Sequence, residues 1–322
     1  MYIIAMKDKT KSDCRPFLKW AGGKTQLLNT IDFFLPYDLK TQPRVTYIEP
    51  FVGGGDMLFY MLQNYSNIKK AVINDINIHL IKTYITIKKH PFELIKALVN
   101  LQFTYNQQKD AESKKNLYLS CRERFNNGNL SDVEEASLMI FLNRTCFNGL
   151  YRENAKGKFN VPFGKYVNPQ ICDPDLILND SALLQNVLIQ HGDFADTYGY
   201  IEGYTLYYCD PPYRPIDLTS RFNSYVKTAF NDEEQIRLRN FVTELDQKDC
   251  YFLLSNSDGK SKDINNNFFD DLYSDFFIER VLAKRSINSN PLKRGLVSEL
   301  LIRNYPNCQG KKNILKTLHN YG

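Results

Sequence analysis

Short apolar runs separated by helical patterns constrain the fold of this chain more than any other feature of its sequence. Each run has the length and the apolar character of a buried strand. Five of them stand out, at residues 45–49, 71–75, 185–190, 205–209 and 250–254. Helical stretches lie between several of the runs, the clearest at 232–245. This alternation predicts an α/β fold, in which a mostly parallel sheet carries helices on both faces.

The alternation breaks between roughly residues 78 and 175, where the sequence is mainly helical. Amphipathic segments occupy 78–102 and 113–124. A further helix is predicted to begin at a capping box that starts with Ser131 and to run to about Arg144.

We therefore predict that a helical domain is inserted into the α/β domain. The catalytic domain would comprise residues 1–77 and 176–322, and the inserted domain residues 78–175. Near the end of the chain, 276–282 and 299–303 predict a closing hairpin with a long basic loop.

The tetrapeptide Asp-Pro-Pro-Tyr at 210–213 follows directly on the fourth apolar run. Parallel sheets bind ligands at the carboxyl ends of their strands. A carboxylate and a main-chain carbonyl there can accept two hydrogen bonds from an exocyclic amine, and proline offers no competing N–H group. A tyrosine ring can stack on a planar base. These properties predict a loop that holds the amine of a nucleobase; a surface turn is the alternative.

A glycine cluster, Glu-Pro-Phe-Val-Gly-Gly-Gly at 49–55, ends the first predicted strand. Asp75 ends the next one about 20 residues later, where nucleotide-binding α/β folds place an acid on ribose hydroxyls. The cluster does not fit the G-x-G-x-x-G pattern, which favours a nucleoside ligand over a dinucleotide. A tight turn without a ligand is the alternative.

The single tryptophan, Trp20, is followed by two glycines and Lys24. Gly-Lys-Thr within this segment is similar to a phosphate-binding P-loop, but Leu18 stands where a P-loop needs glycine. An ATPase is therefore excluded. With glycines beside it, Trp20 is placed to cover a small ligand, and core packing is the alternative.

The composition of the chain indicates where in the cell the protein is located. No apolar run approaches the ~18 residues of a membrane span, and the apolar start is too short for a signal peptide. The seven cysteines are scattered and form no C-x-x-C pair, which predicts neither a disulfide framework nor a zinc site. We expect a cytoplasmic protein with reduced thiols, no membrane association and no metal.

The net charge of +5 is unevenly distributed. The segment from Arg280 to the end contains nine basic residues and one acidic residue, so its net charge is +8. A basic segment in an otherwise near-neutral protein suits a polyanion such as nucleic acid. A solvated charged surface is the alternative.

Several motifs occur together in one order: F-L-K-W-A-G-G-K at 17–24, E-P-F-V-G-G-G at 49–55, N-D-I-N at 74–77, G-D-F at 192–194 and D-P-P-Y at 210–213. Together they resemble the DNA adenine-N6 methyltransferases of the Dam family, in the D12 class. Residues 147–164 resemble the target-recognition hairpin of that family. The resemblance extends from about residue 17 to 305.

The resemblance implies a Rossmann-like, S-adenosylmethionine-dependent methyltransferase fold. Its sheet would be mixed, mostly parallel and seven-stranded, and the helical insertion would be the target-recognition domain. By similarity, the cofactor S-adenosyl-L-methionine would be bound by Trp20, Lys24, Phe51, Gly53, Asp75, Asp193, Phe194 and Asp210. The implied catalytic residues are Asp210, Pro211 and Tyr213.

The resemblance also implies double-stranded DNA as the partner, and a flipped-out adenine within GATC as the target. It places base recognition on Phe147, Asn148, Leu150 and Arg152. We predict that Arg152 makes a bidentate contact to guanine, with a phosphate contact as the alternative. Lys293 and Arg294 are expected to contact DNA phosphates. Pairing with a restriction endonuclease stays open.

Four other functions share parts of this pattern. An RNA adenine methyltransferase would not need a hairpin that reads a DNA duplex. A protein-glutamine methyltransferase would typically carry Asn where this chain has Asp210. A dinucleotide-dependent oxidoreductase leaves Asp-Pro-Pro-Tyr and the hairpin unexplained. A non-catalytic DNA-binding protein on the same fold would not need intact cofactor motifs.

Overall fold

The computed structural model describes residues 14–214, 230–261, 263–284 and 296–307. Seven strands form one sheet: β1 (Val45–Glu49), β2 (Ile68–Asp75), β3 (Val187–His191), β4 (Thr205–Cys209), β5 (Tyr251–Ser257), β6 (Phe277–Lys284) and β7 (Leu296–Arg303). Their order is β3-β2-β1-β4-β5-β7-β6, and β7 is antiparallel to both neighbours while the other pairs are parallel. The predicted α/β fold with a mixed, mostly parallel seven-stranded sheet is confirmed.

Helices cover this sheet and fill the long segment between β2 and β3. Within the described residues they are α1 (Leu28–Phe33), α2 (Asp56–Asn64), α3 (Ile78–Lys89), α4 (Pro91–Gln107), α5 (Ala111–Asn127), α6 (Asp132–Thr145), α7 (Pro174–Leu184), α8 (Asp232–Asp246) and α9 (Phe268–Leu272). Short 3-10 turns occur between them.

Local chemistry sets the helix ends in the long helical segment. Ser131 and Glu134 form the predicted capping box at the start of α6, so that prediction is confirmed. The amphipathic pattern at 78–102, in contrast, belongs to two helices, because α3 ends at Lys89 and α4 begins at Pro91. Proline has no N–H group and its ring clashes with the carbonyl four residues earlier, so one helix cannot continue through it.

The sheet is buried on both faces. Successive side chains of a strand point to opposite faces, and in β1 Tyr47 joins one apolar cluster while Ile48 joins the other. The cluster around Tyr47 continues into α3, α4, α5 and α6. Helix α3 packs against β2 and β3 as well as against α6. The division into a catalytic and an inserted domain stays a prediction.

The order of the strands creates a crevice at one edge of the sheet. β1 pairs with β2 on one side and with β4 on the other, so the connections leave in opposite directions from this point. Ligands bind outside the carboxyl ends of the strands at such a switch point. Glu49, Asp75 and Cys209 end three of these strands, so the motifs that follow them meet at this edge.

In the described part of the chain, no helix has the length and apolar character that crossing a membrane requires.

Candidate active site

A cleft of about 880 Å³ opens at the carboxyl edge of the sheet, within the range of ligand pockets. All ten residues predicted for cofactor binding and catalysis line it: Trp20, Lys24, Phe51, Gly53, Asp75, Asp193, Phe194, Asp210, Pro211 and Tyr213. The structure therefore brings together side chains that are up to 193 positions apart in the sequence. Their individual roles stay predictions.

The glycine loop after β1 is bound to the end of β2. The Asp75 carboxylate accepts hydrogen bonds from the Gly53 N–H (3.1 Å) and from the Asn77 N–H (2.9 Å). Gly53 has a φ of +49°, and a Cβ atom there would lie 2.9 Å from the Trp20 ring. Glycine is therefore required where the backbone meets Trp20, which forms one wall of the cleft.

The predicted catalytic corner, formed by Asp210, Pro211 and Tyr213, lies where β4 ends. Asp210 Oδ2 is 2.8 Å from Lys24 Nζ, and Asp210 Oδ1 accepts a hydrogen bond from the Ser255 hydroxyl at 2.9 Å. The Lys24 side chain is only 3% exposed, and its ammonium lies 4.7 Å from the centre of the Tyr213 ring. A buried ion pair thus orients the carboxylate, and each of its oxygens keeps a lone pair for a ligand.

The Pro-Pro segment is held in place from behind. The fully buried Gln235 donates to the Pro212 carbonyl at 3.4 Å and accepts from the Asn256 amide at 3.0 Å. Arg214 makes two hydrogen bonds to Asp232, at 2.6 and 2.8 Å, immediately after Tyr213. The loop is therefore fixed on both sides of the residues that face the cleft.

The segment that carries Lys24 is fixed to the start of α2. Asp56 accepts from the Lys24 N–H at 3.0 Å and from the Thr25 hydroxyl at 2.5 Å, while Lys24 Nζ donates to the Gly22 carbonyl at 2.8 Å. Lys24 is thus bonded both to Asp210 and to its own loop.

Arg237 of α8 is a cleft residue that the sequence did not reveal. Its guanidinium makes two hydrogen bonds to the Asp193 carboxylate, at 2.8 and 2.6 Å, and lies 4.1 Å from the centre of the Phe194 ring. These bonds hold the pKa of Asp193 below its usual value. Phe51 packs on Phe194 with ring centres 5.3 Å apart. The arginine thus fixes the acid and one aromatic wall together.

Glu49, the first residue of the motif at 49–55, is a second cleft residue for which no role in the site was predicted. Its side chain lines the cleft, is 2% exposed and accepts a hydrogen bond of 2.5 Å from Tyr47. Burial raises the pKa of Glu49 well above its usual value, and the nearby Asp210 raises it further. A carboxyl group with a raised pKa keeps negative charge low beside Asp210.

Residues 147–164, predicted to be a recognition hairpin, form an antiparallel loop, and their role in recognition stays a prediction. Two isolated antiparallel β-bridges pair the backbone of Cys146 with that of Phe163 and the backbone of Glu153 with that of Phe159. Phe147 and Asn148 are exposed at its base, and Asn148 has a left-handed backbone with φ of +57°. Leu150 is half-buried.

Arg152 is exposed on the same loop. Its Nε donates to the Asn160 side chain at 2.7 Å and one terminal nitrogen donates to the Asn160 carbonyl at 3.2 Å. These two bonds use two of the five N–H groups of the guanidinium, so three are left for another partner.

The hairpin contacts the segment that carries Trp20. Trp20 stacks on Tyr151 with ring centres 5.4 Å apart. The buried Asn143 bonds both backbone groups of Lys19 and the carbonyl of Gly149, each at 2.9 Å. Lys19 therefore lies directly beside the hairpin, and it too was missed in the sequence.

The two predicted phosphate contacts, Lys293 and Arg294, lie outside the described residues. The same holds for the whole loop between β6 and β7, residues 285–295.

Residues 20–287 match the family described as D12 class N6 adenine-specific DNA methyltransferase. The chain belongs to the D12 class of N6 adenine-specific DNA methyltransferases. This membership confirms the predicted class of enzyme, and it makes DNA, rather than RNA or protein, the substrate of the family.

Three relatives show how this D12 enzyme is related to others. It is 46% identical to the type II methyltransferase M.MjaIII of Methanocaldococcus jannaschii, over 91% of this chain and 100% of that protein. It is 38% identical to the type II methyltransferase M1.LlaDCHI of Lactococcus lactis, over 93% and 98%. It is 32% identical to the DNA adenine methylase of Escherichia coli, over 89% and 94%.

Proposed function

We propose that this D12 methyltransferase transfers the methyl group of S-adenosylmethionine to N6 of a flipped-out adenine within GATC. The observation that carries the proposal is the catalytic corner, where Asp210 and Pro211 face the same cleft as the glycine loop and Asp75. A nucleoside-binding side and an amine-accepting side thus share one cavity.

The cleft fits S-adenosylmethionine in size and in its polar groups. Asp75 uses one lone pair of each oxygen for the backbone, which leaves others for ribose hydroxyls. Trp20, Phe51 and Phe194 supply apolar and aromatic walls. When bound, the cofactor supplies an electrophilic methyl group on a sulfonium centre.

The chain's own residues would hold the target amine. The adenine must leave the duplex first, because its N6 is otherwise inside the stack. Tyr213 would stack on the flipped base, while Asp210 and the Pro211 carbonyl accept hydrogen bonds from N6. These bonds turn the lone pair of the nitrogen toward the methyl group, and Asp210 is placed to take the proton that N6 loses. Positioning of this kind contributes up to ~7–11 kcal/mol in favourable cases.

GATC as the target rests on the recognition hairpin. Its Phe-Asn-Gly-Leu-Tyr-Arg sequence at 147–152 resembles that of the Dam family, and the Arg152 side chain has a fixed orientation and unused donors. Two relatives are named type II methyltransferases, which supports pairing with a restriction endonuclease.

The test of this function is transfer of tritiated methyl groups from S-adenosylmethionine to two duplexes of equal composition, one with GATC and one with GTAC. We expect label in the first duplex only, recovered as N6-methyladenine after digestion. Equal label in both would overturn the GATC target. An absence of label in either, with the cofactor bound, would overturn the proposed reaction on these sites.

Replacing Arg152 with alanine is expected to reduce discrimination at one guanine by about 1–3 kcal/mol, the cost of losing one bidentate base contact. The measurement is kcat/KM on GATC and on a site with that guanine replaced. Lys156→Ala, at an exposed position of the same hairpin, is the matched control. If Arg152 contacts phosphate instead, its loss will weaken both substrates equally.

A further inference from the structure

Glu299 of β7 reaches the predicted catalytic corner from a strand that only β5 separates from β4. Its Oε2 atom accepts a hydrogen bond of 2.8 Å from the Tyr213 hydroxyl and lies 4.0 Å from Lys24 Nζ. Lys24 is at the same time 2.8 Å from Asp210. The carboxylate of Asp210, which follows β4, and the carboxylate of Glu299, in β7, therefore both face the buried ammonium group of Lys24.

Glu299 is not itself part of the cleft lining, whereas Tyr213, Lys24 and Asp210 all line it. Its side chain is 18% exposed. Burial raises the pKa of Glu299, while Lys24 and the Tyr213 hydroxyl act in the opposite direction. The carboxylate is thus kept in a mostly buried place by the two groups that it contacts.

The Tyr213 ring is held at two points by this arrangement. Glu299 binds its hydroxyl, and the Lys24 ammonium lies 4.7 Å from the centre of its ring. Since a tyrosine side chain has only two main torsions, fixing the hydroxyl and one face defines where the ring stands. An aromatic ring can stack on a base productively only from a defined position.

We propose that Glu299 is a positioning residue for methyl transfer, which fixes the Tyr213 ring and the Lys24 ammonium and, through Lys24, the Asp210 carboxylate. This inference rests on the proposed function, in which Tyr213 stacks on the target adenine and Asp210 receives its amine. Glu299 would act through these residues and would not touch the substrate.

The experiment compares four variants of the full chain. Glu299→Gln keeps the shape and removes the charge, and Glu299→Asp keeps the charge on a shorter side chain. Tyr213→Phe keeps the ring and removes the hydroxyl. The fourth combines Glu299→Gln with Tyr213→Phe. Glu244→Gln, an exposed acid on α8, is the matched control.

Single-turnover methyl transfer to a GATC duplex should be about 10- to 100-fold slower in Glu299→Gln, the effect of losing hydrogen bonds to a charged group. Dissociation constants for S-adenosylmethionine and DNA should stay near those of the wild type. Glu299→Asp should recover part of the rate. The double variant should be no slower than the slower single one, because both changes remove the same contact.

A spectroscopic readout separates positioning from a loss of stability. With 2-aminopurine in place of the target adenine, a stacked Tyr213 ring quenches the fluorescence of the flipped base. We expect brighter fluorescence with Glu299→Gln than with the wild type at saturating enzyme. Unchanged fluorescence together with a rate like that of Glu244→Gln would overturn the inference. Additive effects in the double variant would overturn the path through Tyr213.

The wild type distinguishes the two proposals. If it methylates the GATC duplex while Glu299→Gln matches it in rate and fluorescence, only the inference about Glu299 fails. If the wild type itself transfers no methyl group, the proposed function fails, independently of Glu299.

Discussion

The substitution Asp210→Asn is expected to slow methyl transfer by about 10²–10⁴-fold, the range that a side chain handling a reacting proton contributes. Asp210 accepts from Lys24 through one oxygen and from Ser255 through the other. An amide has only one oxygen. The neutral amide removes the counter-charge of Lys24 in either orientation, and its NH2 group replaces one of the two acceptor oxygens with a donor.

The measurement is the single-turnover rate of transfer to a GATC duplex, with DNA affinity determined by fluorescence anisotropy. DNA affinity should change little, because Asp210 lines the cleft, whereas no residue of the hairpin that is predicted to read the site does. Asp271→Asn, an exposed acid in α9, is the control. A rate for the Asp210 variant that equals the control rate would contradict the assignment of Asp210 to the reaction.

Replacing Lys24 with methionine is expected to remove both activity and stability. The ammonium is 3% exposed and is placed between Asp210 and Glu299. Without it, two carboxylates face each other with no cation, and removing one partner of a buried ion pair costs about 3–5 kcal/mol. Because Asp210 is 20% exposed, we expect the loss in the free energy of unfolding to lie near the lower end of that range.

The pH dependence of the stability of Lys24→Met tests whether the unpaired carboxylate of Glu299 causes the loss. Burial already raises the pKa of Glu299, and Lys24 is the group that opposes this most. An acid whose pKa is raised by folding costs stability once it ionises, so the destabilisation should grow as the pH rises. Urea unfolding of Lys24→Met at acidic and alkaline pH measures it, with Lys96→Met, an exposed lysine on α4, as the control.

A second substitution sharpens this test. Adding Glu299→Gln to Lys24→Met removes one of the two negative charges and should restore part of the lost stability. If the double variant unfolds no later than Lys24→Met, charge imbalance is not the reason for the loss. The interaction of the two changes is then measured by the double-mutant cycle.

The parts of the fold that were predicted correctly are those that local chemistry determines. β1 and β4 are buried at every position, and most of their residues are apolar or aromatic, which made both runs recognisable as strands. The capping box at Ser131 works in the same way, because its two hydrogen bonds join neighbours in the sequence. The break at Pro91 was also local, and the amphipathic pattern on both sides of it concealed it.

The parts that were missed depend on contacts between distant segments. Arg237 reaches Asp193 across 44 positions, and Glu299 reaches Tyr213 across 86. The closing hairpin was predicted, but the insertion of β7 between β5 and β6 was not, and that placement brings Glu299 to the cleft. Asn143 and Lys19 meet across 124 positions. Charge and residue type alone do not indicate which partners such side chains will find.

The most direct test is a crystal structure of this enzyme with sinefungin, a non-reactive cofactor analogue, and a duplex that contains GATC. We predict an adenine turned out of the helix and stacked on Tyr213, with its N6 within hydrogen-bond distance of Asp210 and of the Pro211 carbonyl. The analogue should lie between that amine and Asp75. An adenine that stays in the stack, or an amine bound away from Asp210, would contradict the account.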